Sequence, residues 1–280
     1  MSMGIGQWEL RLSDAEFQVL RDLIYERFGI NLTDQKRGLV IGRLQKVLRQ
    51  RGITDFSEYA RQLQADRSGR MLSELVDRIS TNHTFFFREN DHFVLMREQV
   101  LPELRQRHRE DRDLRIWCAA AATGEEPYSL VMLLMDFFGD DYRFWRAGLL
   151  ATDISEHALN IARAGRYPAE RVKQVSPIYK QRYLSRVGAE WQVLPHVQRE
   201  VAYRRFNLMN TTLPFKGKFD VIFCRNVMIY FDQETRAALV QRLCSVLPPG
   251  GWLFIGHSET IPRGCAPLAS VRPAVYRKVE

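Results

Sequence analysis

The sequence predicts an α/β domain with a parallel sheet and helices on both faces, preceded by an all-α unit. Three observations predict it. Up to Ser80 the apolar residues recur at helical spacing between capping signals. From Asp113 onward short apolar runs alternate with helical ones, the pattern of a parallel sheet. One stretch inside that alternation, about 165–205, is too long for a simple crossover and reads as an insertion. The expected division is a helical unit over 1–90, with a linker to about 112, and an α/β domain over 113–280.

Ser13-Asp-Ala-Glu16 is a capping box, with Leu12 and Phe17 placed as a hydrophobic staple, and its helix should end at Gly29. A second helix is expected over about 33–50, a third over 56–64 and a fourth over 71–79. The second carries six basic residues and no acidic one between Gln35 and Thr54. Val40, Ile41, Leu44, Val47 and Leu48 form its apolar face, and Arg43, Lys46 and Arg49 line the opposite one. A single-sign stripe suits an acidic partner; the alternative is an ordinary solvated face. Phe85-Phe-Phe87 then needs cover from protein or ligand. A helix follows from Asp91 to about Glu98, broken near Pro102.

Apolar content of 45% and charged content of 26% are those of a globular, intracellular protein. Apolar runs fall short of the ~20 residues of a membrane span, and the N-terminus lacks a signal-peptide pattern. Cys118, Cys224, Cys244 and Cys265 lack metal-ligand spacing and read as free thiols. The histidines form no HxxxH pair, so no metal site is expected.

In the α/β part the expected strands are Leu114–Ala119, Arg146–Thr152, Phe219–Cys224 and Trp252–Gly256. The helices are Pro127–Phe138, Ser155–Ala164 and Gln233–Leu247. The first strand runs into Ala119-Ala-Ala-Ala-Thr-Gly124, a turn of tiny residues that lets a ligand approach the backbone. Glu125 and Glu126 follow where a phosphate would otherwise bind, and would repel one. Two carboxylates suit a ligand with an ammonium, such as S-adenosylmethionine. The other reading is a plain β–α corner with acidic residues favouring the helix dipole. Asp153 closes the second strand, where a carboxylate accepts from both ribose hydroxyls or simply caps a helix. Further polar clusters, Arg225/Asn226 and His257/Ser258/Glu259, end the later strands.

The insertion is basic: ten Lys/Arg against three Asp/Glu between Asn160 and Phe206, in a chain of net charge +8. That suits docking of something acidic, or a solubilising surface. Gln192–Leu194 and Val197–Arg204 are expected to pair as a hairpin around Pro195-His196.

Five stretches together resemble the CheR family, the methyltransferases of bacterial chemotaxis. They are Thr81-Asn-His-Thr-Phe-Phe-Phe-Arg-Glu89, Ala120-Ala-Ala-Thr-Gly-Glu-Glu-Pro-Tyr-Ser129, Ala151-Thr-Asp-Ile-Ser155, Phe223-Cys-Arg-Asn-Val-Met-Ile-Tyr-Phe-Asp232 and Gly256-His-Ser-Glu259. The resemblance implies a Rossmann-like class I S-adenosylmethionine-dependent methyltransferase domain with an inserted small β-subdomain, preceded by an all-α domain. It implies methyl transfer from S-adenosylmethionine to glutamate side chains on the cytoplasmic helices of chemoreceptors, leaving S-adenosylhomocysteine. It also implies a cytoplasmic monomer recruited to membrane-bound receptor arrays, with no nucleic-acid partner and no membrane insertion.

Carried over by motif, Asn82, Thr84 and Arg88 contact the cofactor. Glu126 binds its methionine end, with Glu125 the alternative, and Asp153 binds its ribose. Asn207 and Leu208 border the adenine, and Arg225 and Asn226 complete the set. Arg88 and Tyr230 are implied beside the transferred methyl. A glutamate nucleophile is already ionised at neutral pH, so the reaction needs no general base.

Arg186-Val-Gly-Ala-Glu-Trp191 carries one glycine where some family members use a glycine-bearing loop to dock on a receptor C-terminal peptide. Direct recognition of receptor helices is therefore expected. A nucleic-acid methyltransferase fits the pI of about 9.5, but Arg225-Asn-Val-Met-Ile-Tyr230 lacks the proline-rich loop of amine-methylating enzymes. A non-catalytic cofactor sensor is the third reading.

Overall fold

The computed structural model describes residues 11–80 and 83–279. The chain divides into two compact units, Met1–Thr81 and Asn82–Glu280.

The first unit holds α1 (Asp14–Phe28), α2 (Arg37–Arg51), α3 (Phe56–Ala65) and α4 (Arg70–Ile79). The capping box forms as Ser13 and Glu16 exchange hydrogen bonds, and Gly29 ends α1 with φ of 67°. Glu16 also accepts from the backbone N and hydroxyl of Ser57, so one carboxylate fixes the starts of α1 and α3. Phe17, Leu20, Val40, Leu44, Val47, Leu48, Phe56 and Leu75 are buried together in this unit.

The basic stripe of α2 is not uniform. Lys46 and Arg49 are exposed, but Arg43 is half-buried. Its Nη1 donates to the carbonyls of Arg78 at 3.3 Å, Ser80 at 3.2 Å, and Ile79. Position 43 lies at the flank where α4 packs against α2. Its guanidinium therefore meets the negative end of α4 and satisfies carbonyls that the helix leaves open. Ile41, placed on the apolar face by periodicity, is only half-buried.

The second unit begins with α5 (Asp91–Leu95), a π-helical turn over Met96–Val100 and α6 (Leu101–Arg107). Pro102 does not break this helix. It falls in the first turn of α6, after the wide π turn, where its missing N–H is tolerated. Phe86, Phe93, Met96, Val100, Leu101 and Leu104 join the core of the sheet, so residues 83–112 are part of this unit, not a linker.

There follow β1 (Ile116–Ala119), α7 (Glu125–Phe138), β2 (Leu149–Asp153), α8 (Glu156–Ala164), β3 (Arg166–Pro168), α9 (Pro177–Tyr183), β4 (Leu184–Val187), β5 (Glu190–Val193) and α10 (Pro195–Gln198). Then come β6 (Val201–Arg205), β7 (Val221–Phe223), α11 (Gln233–Ser245), β8 (Trp252–Phe254), β9 (Leu268–Arg272) and β10 (Val275–Lys278). The main sheet has the order β6-β2-β1-β7-β8-β10-β9. It is parallel from β6 to β8, and β10 and β9 add antiparallel. The chain winds outward from β1 to β2 and β6, then returns to β7 on β1's other side. The direction reverses at the carboxyl ends of β1 and β7, the switch point where such sheets place their ligand crevice.

The inserted sheet has the order β3-β5-β4, all antiparallel. The expected hairpin around Pro195 does not form. The hairpin closes one step earlier, between β4 and β5, where Gly188 supplies a φ of 62°. Pro195 instead opens the short helix α10. Val201 and Tyr203 are buried while Ala202 and Arg204 are exposed, and that alternation docks β6 beside β2 in the main sheet.

Replacing Arg43 by Ala is expected to lower the stability of the helical unit by about 1 kcal/mol, because three terminal carbonyls of α4 lose a charged donor. Urea unfolding checks this; an unchanged midpoint would mean water satisfies those carbonyls equally well.

Candidate active site

The turn after β1 is shaped by its own backbone. Ala120, Ala122 and Gly124 have φ of 109°, 46° and 96°. Small side chains lower the steric penalty of such angles without removing it. Fixed partners hold the strain: Ala120 N and Ala121 N donate to Thr152 O at 2.8 and 2.9 Å, and Ala122 N donates to Asp153 Oδ2 at 2.9 Å. Asp153 Oδ1 accepts from Ser155 N at 2.9 Å, while Ser155 itself caps α8. Asp153 is therefore not the helix cap. It lies at the switch point, 9% exposed, with Ala122 N on Oδ2 and Ser155 N on Oδ1.

The two glutamates of the turn separate. Glu125 is fully buried and pairs with Arg171 Nη1 at 2.7 Å. Burial pushes it above the usual carboxylate range, against the pull of Thr123 and Arg171. Glu126 is partly exposed; its Oε1 accepts from the Cys118 thiol at 3.0 Å and its Oε2 from Arg225 Nη1 at 2.6 Å.

Arg225 is the hub of the site. Its side chain is 1% exposed, and its Nη2 donates to Glu89 Oε2 at 2.8 Å and Arg88 O at 2.6 Å. The guanidinium lies near the rings of Phe93 and Phe223. Burial acts to raise Glu89, but the Arg225 guanidinium outweighs it and holds Glu89 below its ordinary value. Asn226, at φ of 58°, donates its side-chain amide to Glu89 Oε1 and its backbone N–H to Glu259 Oε2. Glu259 also accepts from Gly256 N and Ile229 N, so it closes the ends of β7 and β8 together.

Thr84 is buried, and its carbonyl accepts from Arg171. Arg88 is 28% exposed and donates to His83 O at 2.9 Å. Phe86 is wholly buried against Tyr167, which supplies the cover the aromatic run required. Asn207 and Leu208 follow β6, whose next residue, Phe206, donates N–H to Asp153 O at 2.9 Å. They therefore lie next to the Asp153 end of the crevice. Tyr230 is half-buried in a short 3-10 turn after β7. Asn82 lies outside the described residues.

Sequence reading assigned no role to Glu89, Arg171 or Glu259. Glu89 stood inside a recognised stretch, but nothing in its spacing signals a partner 136 residues away. Among the described residues, Glu89, His92 and His257 also bring potential ligand atoms within 4.8 Å, although sequence spacing showed no metal pattern. Both oxygens of Glu89 are already held by Arg225 and Asn226. His257 is exposed and shares a hydrogen bond with Asp91. His92 is 1% exposed, and neither ring nitrogen has a hydrogen-bond partner among the described residues, though Nδ1 lies 3.8 Å from Glu89 Oε2.

The model of the CheR methyltransferase SAM binding domain matches residues 82–273, and that of the CheR all-alpha domain matches 15–80. The chain belongs to the CheR methyltransferase family. Relatives named chemotaxis protein methyltransferase occur in Borreliella burgdorferi and Escherichia coli. The first is 40% identical, covering 96% of each chain. The second is 40% identical, covering 89% of this chain and 86% of the relative. A probable chemotaxis protein methyltransferase of Rhizobium etli is 43% identical, covering 85% of this chain and 90% of its own. The fold is thus that of a CheR all-α domain followed by an S-adenosylmethionine-dependent methyltransferase domain. No described helix is long and apolar enough to cross a membrane.

Burial, reinforced by the charge of Arg225, pushes His92 from 6.5 down to about 4. The unfolded chain takes up this proton near 6.5 and the folded chain only near 4. The contribution is therefore full above 6.5 and declines as pH falls towards 4, by roughly 2–3 kcal/mol. His92→Leu should flatten the fall of stability with pH across that window. Identical slopes in wild type and variant would show that His92 protonates freely in the folded protein.

Proposed function

We propose that this chain transfers a methyl group from S-adenosylmethionine to glutamate carboxylates on the cytoplasmic helices of chemoreceptors, forming methyl esters for sensory adaptation. The observation that supports the proposal is the switch-point turn, which brings close backbone, Glu126 and Asp153 to one place while Glu125 is buried beneath it. In the proposed arrangement the Asp153 carboxylate, held by Ala122 N and Ser155 N, accepts from the ribose hydroxyls. Glu126 faces the cofactor's ammonium, because Glu125 is buried and paired with Arg171. Asn207 and Leu208 border the adenine; Thr84 and Asn226 line the remaining wall. Arg225 serves this site from behind: with 1% exposure and both terminal nitrogens engaged, it positions Glu126 and the Arg88 backbone.

The cofactor supplies an electrophilic methyl on a sulfonium. With that group bound, a substrate carboxylate oxygen would attack the methyl carbon in line as the carbon–sulfur bond breaks and leaves its electron pair on sulfur. Opposite charges neutralise as this happens, so exclusion of water favours the transition state. Alignment of oxygen, carbon and sulfur can supply about 7–11 kcal/mol of such a barrier. Arg88 and Tyr230 are assigned to orienting the carboxylate beside the methyl. No proton moves, which suits a site built of positioning groups. The enzyme acts as a cytoplasmic monomer recruited to receptor arrays. Lys46 and Arg49 attract the acidic receptor helices; Arg43 is left out because it caps α4.

Labelled cofactor offered with receptor or with RNA tests the proposal, with methyl esters mapped by mass spectrometry. Label on receptor glutamates is expected; label on RNA alone would overturn it. Asp153→Ala should weaken cofactor binding at least tenfold, since charge-assisted hydrogen bonds contribute about 1.5–3 kcal/mol. Calorimetry showing wild-type affinity would remove Asp153 from the ribose. Reversing Lys46 and Arg49 to Glu should leave cofactor affinity unchanged but slow receptor methylation, most at low salt. Wild-type rates at low salt would transfer docking to the basic insertion.

A further inference from the structure

Arg171 belongs to the inserted segment, between β3 and α9; its side chain is 35% exposed, yet its guanidinium reaches the buried Glu125. Its Nη1 pairs with Glu125 Oε1 at 2.7 Å and donates to Thr84 O at 2.9 Å, with Thr123 Oγ1 at 3.5 Å. Thr123 Oγ1 in turn donates to Glu125 Oε2 at 2.6 Å. A second residue of the insertion joins them: Tyr167 donates its hydroxyl to Thr123 O at 2.7 Å. The space is full, for a Cβ on Gly124 would meet the hydroxyls of Tyr167 and Tyr203 at 2.9 Å and the Ala162 Cβ at 2.7 Å. The insertion is therefore the floor beneath the turn after β1, and one of its basic residues is turned inward.

Glu125 gives this contact its importance. It begins α7 and is 0% exposed, so its charge is stable there only beside a cation. With Arg171 in place both oxygens are bonded and the carboxylate stays under the turn. Without it, an ionised Glu125 must either take up a proton or reach water by opening the turn. Proton uptake preserves the geometry; opening does not.

We infer that Arg171 is a positioning residue for cofactor binding, through which the inserted subdomain holds the Ala120–Gly124 turn in its binding shape. This rests on reading that turn as the cofactor's cradle. It makes the insertion a part of the cofactor site as well as a candidate docking surface. By reciprocity, anything bound to the insertion that shifts Arg171 also changes cofactor affinity.

The test is calorimetric titration of S-adenosylhomocysteine into the full chain at about pH 6 and about pH 8. Arg171→Leu should bind closer to wild type at the lower pH, because falling pH favours proton uptake by a buried carboxylate that has lost its cation. At the higher pH it should bind about tenfold or more weakly. Arg171→Lys should recover most of the loss. Adding Glu125→Gln to Arg171→Leu should restore binding at both pH values, because no buried charge then remains unpaired. Should Arg171→Leu alone fail to fold, the double variant and Arg171→Lys carry the same comparison. A folded Arg171→Leu protein with wild-type affinity at pH 8 would overturn the inference, as would a loss that Glu125→Gln does not relieve. A wild-type protein that binds no cofactor would instead overturn the reading of the turn itself.

Discussion

The site depends on one buried cation. Arg225 leaves β7 with a side chain 1% exposed, and a charge in that position persists only if carboxylates neutralise it. It has two: Glu126 from the first turn of α7 and Glu89 from the aromatic segment. Three stretches far apart in the chain are therefore tied at one point. Glu89 extends the tie to Asn226 and to His257 N, which links the ends of β7 and β8. Removing the guanidinium would leave two carboxylates without their partner, a change of several kcal/mol rather than of one hydrogen bond.

That network explains how two adjacent glutamates can stand in this turn. Two adjacent glutamates in a small-residue turn repel each other unless each has its own cation. Arg171 takes Glu125 from below and Arg225 takes Glu126 from the side. The separation leaves one carboxylate buried and one at the crevice, two roles set by environment and not by residue type. The left-handed angles at Ala120 and Ala122 fit the same picture. They are strained positions held by Thr152 and Asp153, and they turn backbone toward the place where a ligand would lie.

Much of the basic surface has a similarly divided use. Arg43, Arg171 and Arg225 all serve internal acceptors, while Lys46 and Arg49 remain exposed. Net charge by itself therefore overstates the surface available for docking. In the proposed function, attraction of acidic helices falls to the residues left outside.

Local rules in the sequence determined the helices of the first unit, the strand–helix alternation of the second and the special turn after β1. Each depends on neighbours a few residues apart: a capping box at Ser13, a glycine at position 29, small residues from 119 to 124. The family resemblance also lay in short contiguous stretches. What tertiary structure alone decided are the long-range choices. Pro102 is tolerated because a π turn precedes it. Val201–Arg205 joins β2 rather than β5 because the main sheet offers an edge with a matching buried face. Arg43 reads as surface by periodicity until α4 packs at its flank. Glu89, Arg171 and Glu259 gain their roles from partners that only folding brings near. A buried charge is defined by its environment, and no spacing rule encodes a neighbour more than a hundred residues away.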